Sequence, residues 1–153
     1  MKITKVECFA LLIPDFDADA CSSAQDNLIV KIYADNGLFG IGETDTNPWG
    51  VKAIIESPGT HAMGRGMIEI LIGKDPTNVE GIWHELYEKT MMTSRRGLGI
   101  CAIGAIDMAL WDLCGKIYAQ PSWKLLGGSV KDFILPYASL LPEGNNVNDY
   151  SDS

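Results

Sequence analysis

Residues 102–128, AIGAIDMALWDLCGKIYAQPSWKLLGG, decide the fold. Ile103, Ile106, Leu110, Leu113 and Ile117 recur at alternating spacings of three and four, which draws one apolar stripe along a helix. Ala102, Ala105 and Ala109 leave another side nearly bare, so a second element can approach that backbone closely. Pro121 and Gly127-Gly128 then end the helical segment and turn the chain. Asp112 and Lys116, one turn apart, are placed for a helix ion pair. Asp107 falls within the arc of Ile103, Leu110 and Cys114, where a buried carboxylate needs hydrogen bonds or a cation.

Upstream, the period changes. Val6, Cys8, Ala10 and Leu12 alternate with Lys5, Glu7, Phe9 and Leu11, a strand over Ile3 to Leu12. Leu28, Val30, Ile32 and Ala34 repeat the alternation. Asp35-Asn36-Gly37 supplies a turn that tolerates positive φ, and Leu38 to Glu43 reads as the returning strand. The opening is a three-stranded antiparallel meander. After Pro48 the spacing predicts helices over Val51 to Glu56 and about His61 to Ile72. Asp75-Pro76-Thr77 supplies start chemistry for an amphipathic helix carrying Val79, Ile82, Trp83, Leu86 and Tyr87 as far as Met91. Strands followed by helices make an α+β domain with helices covering one sheet face.

Composition narrows the function. The 153 residues are 46% hydrophobic and carry a net charge of −8 without a block of Lys or Arg, so phosphate-backbone neutralisation has no source and nucleic acid is excluded as a partner. The apolar run after Lys2 and Lys5 stops at Pro14 without a small-residue cleavage site and reads as a strand rather than a leader. Nothing in the sequence reads as a membrane span of about 20 apolar residues. Cys8, Cys21, Cys101 and Cys114 are scattered without Cys-x-x-Cys pairing, which fits a reducing, cytoplasmic setting.

Several motifs fail as sites. His84-Glu85-Leu86-Tyr87-Glu88 begins like a zinc-protease helix but has Glu88 where the second His belongs. His61 has no Cys or carboxylate at ligand spacing. Gly64-Arg65-Gly66 and Gly97-Leu98-Gly99 lack the Lys-Ser/Thr ending of a phosphate loop and read as turns. Arg95-Arg96 suits either a carboxylate or plain solvation.

The run Ala-Ile-Asp-x-Ala-Leu-Trp-Asp-Leu-x-Gly-Lys, then Pro121 and Leu125-Leu126-Gly127, resembles the mandelate racemase/muconate lactonizing group of the enolase superfamily. Gly40-Ile41-Gly42-Glu43 and Ile72-Gly73-Lys74-Asp75-Pro76 support the resemblance in the expected order. Ser122 departs from it, since the group prefers an aliphatic residue there. The resemblance implies an N-terminal capping domain over residues 1–128. Residues 129–153 would then hold the first strand of a C-terminal (β/α) barrel, Ile134 to Leu140, and the start of its next helix, cut short, because a closed barrel needs about 200 residues.

The implied chemistry is abstraction of the proton α to a carboxylate, with Mg²⁺ stabilising the enolate. Its metal ligands and general base belong to the barrel, so none is assigned within this chain. What the cap contributes is a lid, from the loop 14–26 and the loop 43–50. Asp15, Phe16, Asp17, Thr46, Asn47 and Trp49 are its candidate substrate-binding residues, with loop solvation and turn formation as the alternative for each. Arg95-Arg96-Gly97 before the long helix looks most like the acid-sugar dehydratases, while racemases, epimerases and cycloisomerases share the same front domain. The expected partners are a small carboxylate or acid-sugar substrate and further copies of the chain. A different class of reading is a non-catalytic binding or oligomerisation domain derived from the cap.

Overall fold

A computed structural model describes residues 1–15, 26–94 and 96–137. Strands β1 (Ile3–Leu12), β2 (Asp26–Ala34) and β3 (Phe39–Thr44) form an antiparallel sheet in the order β1-β2-β3. Helices α1 (Pro48–Glu56), α2 (Met67–Leu71), α3 (Val79–Lys89), α4 (Leu98–Tyr118) and α5 (Ser122–Leu125) follow. This is the expected α+β order of strands first and helices after.

The strands pair where the alternation places them. Leu28, Val30, Ile32 and Ala34 are buried along β2, with Ile3, Val6 and Cys8 buried on β1. Ile3 and Val6 lie out of phase, and an irregularity in register between Ile3 and Lys5 lets both face inward. The β2–β3 turn closes as its residues dictate: Gly37 has φ 85°, and the Leu38 N–H donates to Asn36 Oδ1 at 3.1 Å.

Helix α4 lies across the sheet on its alanine side. An added Cβ on Gly40 would stand 1.9 Å from the Ala109 carbonyl oxygen, and one on Gly42 2.0 Å from that of Ala105. Strand backbone thus meets helix backbone, which only glycine opposite alanine permits. The stripe Ile103, Ile106, Leu110 and Leu113 is buried and Ile117 packs half-buried at its end. Val51 and Ile55 of α1, Ile70 and Leu71 of α2, and Ile82 and Leu86 of α3 complete the core. Although α4 is long and apolar enough to cross a membrane, its burial against the sheet makes it the core helix.

The segment 72–76 joins three elements. Gly73 (φ 82°) donates its N–H to the Ile3 carbonyl at 2.9 Å, and the Ile3 N–H donates to Lys74 O at 2.8 Å. Lys74 pairs with Glu85 of α3 at 2.5 Å, and Pro76 O accepts from Cys114 Sγ of α4 at 3.4 Å.

Four helix boundaries differ from the sequence reading. The segment expected as a helix from His61 is helical only from Met67, because Gly64 and Gly66 weaken it and the chain turns back instead. There the Thr60 N–H donates to Gly64 O at 2.9 Å. Helix α1 starts earlier, at Pro48, since Asn47 caps it and proline suits the first turn. Helix α3 starts at Val79 and ends at Lys89. Asp75 forms a turn one step before it, accepting from Thr77 N at 3.0 Å and Thr77 Oγ1 at 2.8 Å, which holds its carboxyl below the usual range. Helix α4 ends at Tyr118, with Ala119 in the left-handed region (φ 50°), before Pro121 is reached. Ile134 to Tyr137, placed in a strand by the sequence, are irregular and exposed; the rest of that segment lies outside the described residues.

Candidate functional site

In a meander of three antiparallel strands the first and third run the same way, so both leave the sheet at one end. The register shows it here: Leu12 pairs with Asp26, and Thr44 with Leu28. The loop after β1 and the loop after β3 therefore start side by side. Of the candidate residues on the first loop, Asp15 is exposed at its start, while Phe16 and Asp17 lie outside the described residues.

The second loop is fixed from within. Asn47 takes a left-handed conformation (φ 39°, ψ 73°) and its Oδ1 accepts the Gly50 N–H at 2.9 Å, capping α1. Pro48 is buried beneath it, and Gly50 sits so close to Leu98 that an added Cβ would be 2.8 Å from its Cδ1. With these residues committed to structure, Thr46 and Trp49 are presented outward. Among the described residues the Thr46 hydroxyl meets Asp45 Oδ1 alone, at 3.4 Å, and Trp49 is 60% exposed. An indole left that open at a helix start presents an apolar face and one donor to solvent.

Beside this loop, Asn27 Nδ2 donates to Glu43 Oε2 at 2.8 Å, while Asn27 Oδ1 is buried without a hydrogen-bond partner among the described residues. Neither residue was singled out from sequence. Their meeting follows from strand register, which places position 27 diagonally across from 43, and no local motif signals it.

Other candidates stay apart from this end. Asp107 is half-buried on α4, and burial first, then the Glu80 carboxylate, raises its carboxyl above the usual range. Among the described residues it has no hydrogen-bond or ion-pair partner. His84 is exposed and meets Trp83 edge-on at 5.4 Å, while Trp83 stacks on Tyr87 at 5.3 Å. His61 Nδ1 bonds Thr60 Oγ1 at 2.8 Å. Arg96 is exposed and Arg95 lies outside the described residues. Among the described residues no three His, Cys, Asp or Glu side chains converge on a point that would hold a metal ion. The implied Mg²⁺ therefore finds no fitting site among them.

The profile of the mandelate racemase/muconate lactonizing enzyme N-terminal domain matches residues 11–127. The chain is similar to the L-rhamnonate dehydratase of Saccharopolyspora erythraea, 35% identical over 112 residues that cover 73% of this chain and 26% of that protein. It is likewise similar to the D-galactonate dehydratase family member RspA of Halomonas elongata, 39% identical over 111 residues, 71% of this chain and 25% of that one. Among solved structures, the 3,6-anhydro-D-galactonate cycloisomerase of Zobellia galactanivorans superposes with a TM-score of 0.73 at 31% identity, covering 90% of this chain and 35% of that one. The chain spans about a quarter of the length of these curated relatives.

Proposed function

The chain belongs to the mandelate racemase/muconate lactonizing enzyme family, as its N-terminal domain, and on that premise we propose that it is the substrate-facing cap of an enzyme that abstracts the proton α to the carboxylate of an acid sugar. The favoured reaction is dehydration: loss of the α-proton and the β-hydroxyl as water gives an enol that tautomerises to a 2-keto acid. Two relatives named as dehydratases support that choice, and the likeness to a cycloisomerase keeps isomerisation as the second reading.

The observation that carries the reading is that β1 and β3 leave the sheet at one end, where Asn47 and Pro48 are held and Thr46 and Trp49 are turned outward. An α-proton beside a carboxylate is very weakly acidic, so the reaction needs a site closed to water. In this reading Trp49 covers the substrate, the Thr46 hydroxyl and the side-chain NH2 of Asn47, whose Oδ1 is spent on the cap, offer hydrogen bonds to its hydroxyls, and Asp15, Phe16 and Asp17 close over it from the first loop. Residues 1–128 are the cap and residues 129–153 lead into the barrel. The base and any Mg²⁺ belong to that barrel, and the whole enzyme assembles as a homo-oligomer. Free, buried Cys8 and Cys114 fit a reducing cytoplasm.

The test is exchange of the α-proton in deuterated water, with Mg²⁺ and a panel of acid sugars, on the longest product of the gene. Exchange that yields a 2-keto-3-deoxy acid supports dehydration, and exchange with retention of every hydroxyl supports isomerisation. Absence of both exchange and a 2-keto-3-deoxy product with every acid sugar sinks both readings. If exchange occurs, Trp49→Ala raises KM by about tenfold or more, as loss of a covering aromatic should; an unchanged KM removes the lid role.

A further inference from the structure

A depression of about 390 Å³, lined by Gly59, His61, Ala62, Arg65, Glu69 and Lys89, shares no residue with the lid loops. We propose that it binds a small oxyanion, a carboxylate or a phosphate, through Arg65, Lys89 and His61.

Backbone bonds bring these groups together from distant parts of the chain. The Arg65 N–H donates to the Lys89 carbonyl at 3.0 Å, and the Met92 N–H to Met63 O at 3.4 Å, so the turn at 60–64 is fastened to the end of α3. Within that turn Thr60 N–H donates to Gly64 O at 2.9 Å and Gly64 N–H to His61 O at 3.1 Å. The imidazole lies over Gly64, where an added Cβ would stand 2.8 Å from His61 Cε1. Its Nδ1 is engaged by Thr60 Oγ1, which leaves Nε2 open to a ligand.

Arg65 and Lys89 face a single carboxylate, Glu69, among the described lining residues, so the depression carries a net positive charge. Among the described residues neither Arg65 nor Lys89 has an ion-pair partner, although the whole chain carries −8. The one carboxylate in the depression, Glu69, is held by the Gly59 N–H at 3.0 Å. Two cations against one carboxylate in a concavity attract an anion, and the planar guanidinium suits the paired oxygens of carboxylate or phosphate. Glu69, an acceptor on the same wall, favours an anion that also carries a hydroxyl. The volume suits a small molecule.

The experiment is a titration of the isotopically labelled full chain with sodium phosphate and, separately, sodium gluconate, followed by amide NMR at ionic strength held constant with sodium chloride. The expected result is saturable shifts confined to residues 59–69 and the end of α3. Arg65→Gln and Lys89→Gln should each weaken binding by about tenfold or more, and Lys2→Gln should leave it unchanged. Tighter binding of gluconate assigns a sugar acid, and tighter binding of phosphate a phosphate ester. Shifts that are absent, spread over the whole surface, or unaltered in both variants overturn the proposal. Among the described residues neither side chain makes a hydrogen bond or ion pair, so melting temperatures equal to that of the parent chain certify the variants.

Discussion

Asp112 of α4 accepts the backbone N–H of Ile41, on the outer edge of β3, at 2.8 Å. The same Oδ2 atom pairs with Lys116 Nζ at 2.6 Å, and that ammonium donates to the Phe39 carbonyl at 2.8 Å. A pair that the sequence suggests is an ordinary helix ion pair therefore does a strand's work, satisfying edge groups of β3 with side chains. Asp112→Ala is expected to cost about 0.5–1.5 kcal/mol, since it removes a charged acceptor from an N–H and an ammonium that are both partly open to water. Asp112→Asn keeps the acceptor and should cost less. Urea unfolding of the two variants checks the order, and equal losses would assign the effect to charge alone.

Gly42 and Gly104 should respond oppositely to the same substitution. At Gly42 a Cβ collides with the Ala105 carbonyl, and since both partners are backbone neither can yield, so Gly42→Ala is expected to cost about 3 kcal/mol. Gly104, inside α4, has nothing within 4 Å of the added atom. Gly104→Ala is expected to stabilise by about 0.5–1 kcal/mol through helix propensity. Thermal melts of both give the comparison, and a destabilised Gly104→Ala chain would contradict the open space at that position.

Asp107 makes the stability depend on pH in a definite sense. Its folded-state carboxyl titrates above the ordinary value of 3.8, so the folded chain holds the proton more tightly than the unfolded one. That contribution is fully present below 3.8 and is lost as pH rises through the raised folded value. Asp107→Asn, which removes the charge, should melt higher than the parent chain near neutral pH and lose that advantage in acid. A difference independent of pH would attribute the effect to packing.

Thiol reactivity should follow burial. Cys8 is pushed up to about 12, by desolvation first and the Glu56 carboxylate second, and Cys114 is raised by desolvation and then Asp75. Cys101 is only half-buried. Alkylation of the folded chain near neutral pH should label Cys101 and spare Cys8 and Cys114, as read by peptide mass. Labelling of Cys8 without denaturant would mean that β1 opens.

The elements read best from sequence were those whose pattern is long and local. The β1–β2–β3 meander and the buried stripe from Ile103 to Leu113 stand where periodicity places them, and the bare Ala102–Ala109 side receives the glycines of β3. Boundaries were harder wherever a glycine or a cap competes with the pattern. Gly64 and Gly66 cut the helix expected from His61 to its last five residues, and Ala119 adopts a conformation that nothing in its neighbours announces. Asn47-Pro48 did carry a usable signal, a cap residue followed by proline, which would have moved the start of α1 to its observed place. The candidate lid was half legible. The loops came from alternation ending at Pro14 and Glu43, but which of their residues are structural depends on Asn47 turning inward, and the Asn27–Glu43 bond depends on register. The Arg65–Lys89 depression had no sequence signal, because its members are joined by backbone bonds across a turn and a helix end.

The backbone contact of Gly40 and Gly42 with Ala109 and Ala105 bears on how the chain is made. During synthesis the meander leaves the ribosome complete while the helix that seals it is still untranslated. Until then, β3 lacks both its packing partner and the groups that occupy its edge. The nascent sheet is thus a waiting intermediate whose exposed face invites chaperone capture, and release should coincide with emergence of α4 rather than with completion of the third strand.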